Sequence, residues 1–125
     1  MDIEIDIDDG TPIFSQLVNQ VKERVIKGDL VAGFSLPSIR QLANELGVNQ
    51  NTVAKAYKVL ERDSIIVARG YRGTFIHDNA KENCEVNLTA KGITILSDSI
   101  INMQALGLTD SEIRIIFSSV MKQAK

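Results

Sequence analysis

Residues 38–76, SIRQLANELGVNQNTVAKAYKVLERDSIIVARGYRGTFI, carry the signals that decide the fold. Ser38 with Gln41 three residues on forms a capping box, in which each side chain closes a free backbone N–H of a first helical turn. Ile39, Leu42, Ala43 and Leu46 follow at helical spacing, and Gly47 supplies the left-handed exit. Asn49 caps a second helix whose Val53, Ala56, Tyr57 and Leu60 face inward, leaving Gln50, Asn51, Ala54, Lys55, Lys58 and Arg62 outward. Only Gly47 and Val48 lie between the first helix and the cap of the second. So short a connection predicts a steep crossing, as in a helix-turn-helix. Ile65, Ile66, Val67, Thr74, Phe75 and Ile76 are β-formers flanking Gly70 and Gly73, and they predict a two-stranded hairpin with Arg69 and Arg72 at its tip.

Upstream, Thr11 and Pro12 read as N-cap and first helical residue. Phe14, Leu17, Val18, Val21 and Val25 then make one amphipathic helix that ends at Gly28. Before it, Ile3, Ile5 and Ile7 alternate with Asp2, Glu4, Asp6 and Asp8, the period of a short strand or extended arm with one buried edge. These acids do not make a calcium loop, because isoleucines would occupy ligand positions and no glutamate follows where one is needed. Downstream, HDNAKENCE (77–85) is polar and reads as a linker. Ile93, Leu96, Ile100 and Met103 then predict a helix closed by Leu106, Gly107 and Leu108. A second capping box, Thr109 with Glu112, opens a last helix with Ile113, Ile116, Phe117, Val120 and Met121 on one face. The expected architecture is α+β and mostly helical: a winged helix-turn-helix domain over residues 1–77, a linker over 78–85 and a two-helix region over 86–125.

At 125 residues and 13.8 kDa the chain has room for one substantial core, which argues against a multidomain enzyme. No apolar run reaches the roughly 18 residues of a membrane span, and the start is acidic where a signal peptide would be basic; both predict a cytoplasmic protein with no membrane partner. One cysteine, Cys84, and one histidine, His77, leave no basis for an internal disulfide or a zinc cluster. The net charge of −2 hides an uneven distribution. Residues 1–37 hold three bases and seven acids, residues 38–75 six bases and three acids, and residues 76–125 five bases and six acids. Positive charge is concentrated where the helix pair and hairpin lie.

A helix lying in the major groove must show base edges its outward residues. The run Asn49 to Lys55 meets that demand. Asn49, Gln50 and Asn51 can pair bidentately with adenine, Lys55 can reach guanine, and Thr52 or the Ala54 methyl can touch a thymine methyl. Arg40, with Arg69 and Arg72 on the hairpin, would contact phosphates. Read singly, each is an ordinary solvated side chain; together, within one capped helix pair and a basic hairpin, they point to double-stranded DNA.

The stretch LPSIRQLANELGVNQNTVAKAYKVLERDSIIVARGYRGTFI resembles the DNA-binding domain of the GntR family of bacterial transcription regulators, whose pattern runs Leu-Pro-Ser-x-Arg-x-Leu-Ala, Leu-Gly-Val, Thr-Val, Ala-Tyr, Leu-Glu, Gly-Thr-Phe. Thr11 to Leu17 is similar to the Pro-Ile-Tyr-x-Gln-Leu opening of that domain, so the resemblance covers residues 3–76. The short tail after the wing is similar to that of the YtrA-type branch, in which two C-terminal helices make the dimer. The resemblance implies DNA contacts at Arg40, Asn49, Asn51, Thr52 and the wing residues Arg69, Gly70, Tyr71 and Arg72, and the reading of the residues adds Ser38, Gln50 and Lys55 as candidate contacts. It further implies a homodimeric repressor on an inverted-repeat operator, in this branch often of an ABC-transporter operon. No cofactor or metal is implied, and any small-molecule effector is unspecified. Three departures are visible. Gln50 and Ala54 stand where many relatives have arginine, Tyr71 replaces the first glycine of Gly-x-Gly-Thr-Phe, and Ser64 replaces the usual turn glycine.

Ile93, Leu96, Ile100 and Met103 with Ile116, Phe117 and Val120 are the candidate dimer surfaces, since two isoleucine-rich helices expose more apolar area than a domain this small hides alone. Packing of the tail on the winged domain is the alternative. A winged helix that binds protein instead of DNA would ordinarily lack the outward Asn/Gln/Lys set and the paired arginines. An enzyme would need a nucleophile next to a base, and His77 beside Asp78 in an extended segment does not supply that geometry.

Overall fold

The computed structural model describes residues 1–124, and within them the chain order is α1 (Ile13–Lys27), β1 (Ser35–Leu36), α2 (Ile39–Leu46), α3 (Gln50–Arg62), β2 (Ile66–Ala68), β3 (Thr74–Ile76), α4 (Ala80–Asn83), α5 (Leu88–Ala105) and α6 (Asp110–Gln123). A single 3-10 turn, Gly70–Arg72, lies between β2 and β3. The chain divides into two compact units, Met1–Val86 and Asn87 onward.

In the first unit the apolar stripes of α1, α2 and α3 converge. Leu17, Leu42, Val53, Ala56 and Leu60 are fully buried, joined by Val21, Tyr57, Ile65, Ile66 and Ile76. Each of the leucine, isoleucine and valine side chains stabilises the fold by about 1.5–3 kcal/mol relative to exposure. Helix α1 begins one residue later than the sequence suggests: Pro12, not Thr11, is the N-cap, and no side chain caps the helix. The reason is local, because the Asp9 carboxylate accepts the Thr11 N–H at 2.9 Å and the Thr11 carbonyl accepts the Gln16 side-chain amide at 2.9 Å.

The arm before α1 is extended but is no strand. Ile3 is buried, Ile5 is half-buried and Ile7 is exposed, so the inward alternation stops after Ile5. The arm pairs with side-chain amides where a strand would pair with a backbone. Gln16 Oε1 accepts the Asp6 N–H at 2.9 Å while its amide donates to the Asp6 carbonyl at 2.8 Å, and Gln20 makes the same exchange with Glu4 one turn along. Residues two apart in an extended arm meet glutamines four apart on a helix, the periods of the two structures.

The wing has three strands instead of the expected two, in the order β1-β3-β2, all antiparallel. The added strand, with Ser35 opposite Phe75 and Leu36 opposite Thr74, is too short to show alternation in sequence. Ile65 lies outside β2 because it closes a Schellman turn after α3: its N–H donates to Leu60 O at 2.9 Å and the Ser64 N–H to Glu61 O at 3.0 Å. The same closure ends α2 at Gly47 (φ 67°) and α5 at Gly107 (φ 94°), but after α3 the left-handed position is Ser64 (φ 57°), the one non-glycine residue at positive φ among the described residues.

The segment 78–85, expected as a linker, holds α4. Ala80 is buried, and α4 packs on α1. The Asn83 amide donates to the Ser64 carbonyl at 2.8 Å and so braces the strained turn. A single helical turn with one apolar anchor leaves no periodic signature, which is why the sequence reads as polar coil.

In the second unit the Thr109–Glu112 capping box opens α6 as expected, and α5 is capped by Asn87, which the sequence reading does not single out. Ile113 is buried against α5, whereas Ile93, Leu96, Ile116, Phe117 and Val120 remain exposed and Ile100 and Met103 half-buried.

Candidate nucleic-acid interface

Helix α2 is fixed at its start by the Ser38 box, with Ser38 Oγ accepting the Gln41 N–H at 3.1 Å and Gln41 Oε1 accepting the Ser38 N–H at 3.0 Å. The preceding carbonyl, of Pro37, accepts the Tyr57 hydroxyl at 2.6 Å, tying the entry of α2 to the buried face of α3. Burial, with Glu45 adding to it, pushes the Tyr57 phenol above its ordinary range, so the hydroxyl keeps its proton and remains a donor. Arg40 is exposed in the first turn of α2, where a positive side chain gains nothing from the helix dipole. Neither α2 nor α3 has an acid in its first turn, in contrast to α6 with Asp110 and Glu112. The opening turns of the helix pair are left suited to anions.

On α3 the side chains separate as the spacing predicts. Val53, Ala56, Tyr57 and Leu60 are buried, while Gln50, Asn51, Lys55, Lys58 and Arg62 are exposed and Thr52 and Ala54 half-exposed. Asn49 Oδ1 accepts the Asn51 N–H at 2.7 Å, so the cap uses the oxygen of Asn49 and leaves its amide hydrogens outward. Lys55 differs from the expectation of a side chain extended toward bases. Its ammonium lies 4.1 Å from the centroid of the Phe14 ring at the front of α1. Nothing in the sequence announces that pairing, because Phe14 reads there as one more residue of an amphipathic stripe.

The other end of α3 is held by charge. Asp63, almost wholly buried at its side chain, meets Lys22 Nζ at 2.8 Å and Arg62 Nε at 2.8 Å. Burial opposes its charge, but hydrogen bonds from Arg62 and Lys22 and their positive charges outweigh it, holding the carboxyl below its usual range. The recognition candidate is therefore fixed to α1 at Lys22 and to the chain before α2 at Pro37.

At the wing tip the Arg72 N–H donates to Arg69 O at 3.2 Å and the Gly73 N–H to Gly70 O at 3.2 Å, while the Arg69 N–H closes the loop on Gly73 O at 2.8 Å. Gly70 (φ 60°) and Gly73 (φ 106°) take the left-handed positions, so Tyr71 needs no strain to stand where a family glycine is usual. Tyr71 as a residue is 95% exposed. Arg69 and Arg72 line one cleft of about 260 Å³ with Gly33 and Phe75, and the Arg69 guanidinium lies 5.9 Å from the Phe75 ring centroid. The structure thus brings the two wing arginines together and adds Phe75 as their apolar floor, a role the sequence does not disclose.

Comparison with known proteins agrees with this arrangement. Residues 14–76 match the family model "Bacterial regulatory proteins, gntR family". The chain is 49% identical over 79 residues to the HTH-type transcriptional repressor YtrA of Bacillus subtilis, a stretch that is 63% of this chain and 61% of YtrA. It is 39% identical over 110 residues to the HTH-type transcriptional regulator Rv1152 of Mycobacterium tuberculosis, covering 88% of this chain and 86% of that one. Among solved structures, a transcriptional antiterminator from Listeria monocytogenes EGD-e superposes with a TM-score of 0.66 at 33% identity, over 97% of this chain and 90% of that chain. These relatives are regulators and not enzymes. The capped helix pair, the polar outer face of α3 and the basic wing are thus those of a winged helix-turn-helix DNA-binding domain, and the chain belongs to the GntR family of bacterial transcription regulators.

Proposed function

We propose that the protein is a cytoplasmic, homodimeric repressor whose two winged domains bind an inverted-repeat operator in double-stranded DNA. The carrying observation is the composition of the exposed face of α3, with Gln50, Asn51, Lys55 and Lys58 set against an inner face of Val53, Ala56, Tyr57 and Leu60. Asn49, Asn51, Gln50 and Thr52 read base edges. Ser38, Arg40, Arg69 and Arg72 hold the backbone, with Gly70 and Tyr71 presenting the wing tip to it. The repressor sense is supported by the similarity to YtrA of Bacillus subtilis, and control of a transporter operon follows the branch the sequence resembles.

Dimerisation is supported by an open apolar groove of about 610 Å³ between α5 and α6, lined by Leu96, Ile100, Met103, Ile116, Phe117 and Val120. With Ile93, these side chains make a surface that a second copy would cover. No helix among the described residues is long and apolar enough to cross a membrane.

The test is enrichment from a randomised duplex pool, followed by titration of the enriched duplex at several salt concentrations. A dimer making about eight phosphate contacts loses affinity by several decades over a modest salt range, with a slope near −0.9 per contact. Enrichment of a palindrome with half-sites about one helical turn apart supports the reading. Enrichment of nothing, or salt-independent binding, overturns it.

A further inference from the structure

The Lys55 ammonium is 4.1 Å from the Phe14 ring centroid, and the two residues belong to different helices. Lys22 and Lys27 each pair with a carboxylate, but among the described residues no carboxylate pairs with Lys55. Phe14 is half-buried and packs on the core, so its ring is a fixed platform, whereas Lys55 is exposed on a flexible stem. A ring that holds the ammonium ties it to the front of α1, although Lys55 stands one helical turn after Asn51 on the same outer face. Base edges form the floor of the major groove and phosphates its rim. An ammonium turned to the flank of α3 is at the rim, with N–H donors still free on the side away from the ring.

We propose, on the reading of α3 as the groove helix, that Phe14 is a positioning residue for DNA binding: its ring presets Lys55 as a backbone-phosphate contact and removes it from base readout. Lysine loses much rotamer freedom when fixed on a phosphate, and a ring that orders it beforehand reduces that loss on binding. Lys55 thereby joins Arg40 among the residues that set register, and discrimination at the groove floor rests on Asn49, Gln50, Asn51 and Thr52.

The experiment compares the wild type with Phe14→Leu, Phe14→Tyr, Lys55→Ala and the double variant Phe14→Leu/Lys55→Ala. The probes are the duplex enriched by the wild type and a panel with each half-site base pair substituted. Lys55→Ala is expected to weaken every duplex alike and to lower the salt slope by about one per protomer. Phe14→Leu is expected to weaken binding about two- to fivefold per protomer without altering base preference, the scale of one exposed cation–π contact. Phe14→Tyr keeps the ring and should bind as the wild type does. In the Lys55→Ala background Phe14→Leu should have no further effect, which a merely structural role for Phe14 would not produce. In the free protein, nuclear magnetic resonance should show the Lys55 ε-methylene protons shifted upfield by the ring. Additive losses in the double variant, a changed preference at one base pair in Lys55→Ala, or unshifted ε-protons each overturn the proposal while leaving DNA binding intact. A wild type that enriches no duplex overturns the DNA reading as well.

Discussion

Ser64 is the residue at which this chain departs most plainly from an easy backbone. It occupies the left-handed position of a Schellman turn at φ 57°, where its Cβ is disfavoured, and the Asn83 amide on its carbonyl holds it there. Ser64→Gly should raise the free energy of unfolding by about 0.5–1 kcal/mol, the relief of strain less the added chain entropy of glycine, and a urea titration measures it. Asp63 beside it is held ionised. A carboxyl whose folded pKa lies below its unfolded value of about 3.9 contributes stability that is complete above that value and is lost as pH falls through the folded one. Asp63→Asn should therefore cost about 1.5–3 kcal/mol at neutral pH. The variant should also show a shallower loss of stability than the wild type as pH falls below about 4, and urea titrations across pH 2–6 separate the two. Equal acid sensitivity in both proteins would place the titrating group elsewhere.

At the scale of elements, the proposed function divides the work of binding between α2 and α3. Arg40 lies on the first turn of α2 and Asn51 on the outer face of α3, and the link between them is rigid because Tyr57 binds the Pro37 carbonyl that leads into α2. Arg40→Ala is expected to weaken all duplexes alike, whereas Asn51→Ala should relax preference at one base pair by about 1–3 kcal/mol. A substitution scan in which both variants show the same altered preference would contradict the division. Asn49 is coupled to this face by its cap, so replacing it disturbs both the start of α3 and any base it meets.

For the molecule as a whole, one recognition helix reads only a few base pairs, each adding about 1–3 kcal/mol of discrimination, so in the proposed dimer a second copy at fixed spacing would make the reader selective. Ile100 lines the groove between α5 and α6. Ile100→Glu should bury an unpaired charge in the dimer, giving a monomer with a folded winged domain and weak, largely sequence-blind binding. Sedimentation, followed by titration with whole and half operators, decides this; a variant that stays dimeric at full affinity assigns the groove to another use.

Much of this was legible in the chain, because capping boxes, helical stripes and glycine exits are local. Ser38 with Gln41, Asn49, Gly47, Gly107 and Thr109 with Glu112 each state a boundary within a few residues, and the buried face of α3 follows from spacing alone. The tertiary structure decided what depends on distant partners. Strand β1 exists because β3 lies beside it, and α4 exists because α1 receives Ala80 and Ser64 receives Asn83. The arm is ordered by two glutamine side chains, and Lys55 is turned by a ring 41 positions earlier in the chain. Local order is written by neighbours in sequence, whereas two-residue strands, single helical turns and side-chain directions take their stability from contacts that form only once the core has closed.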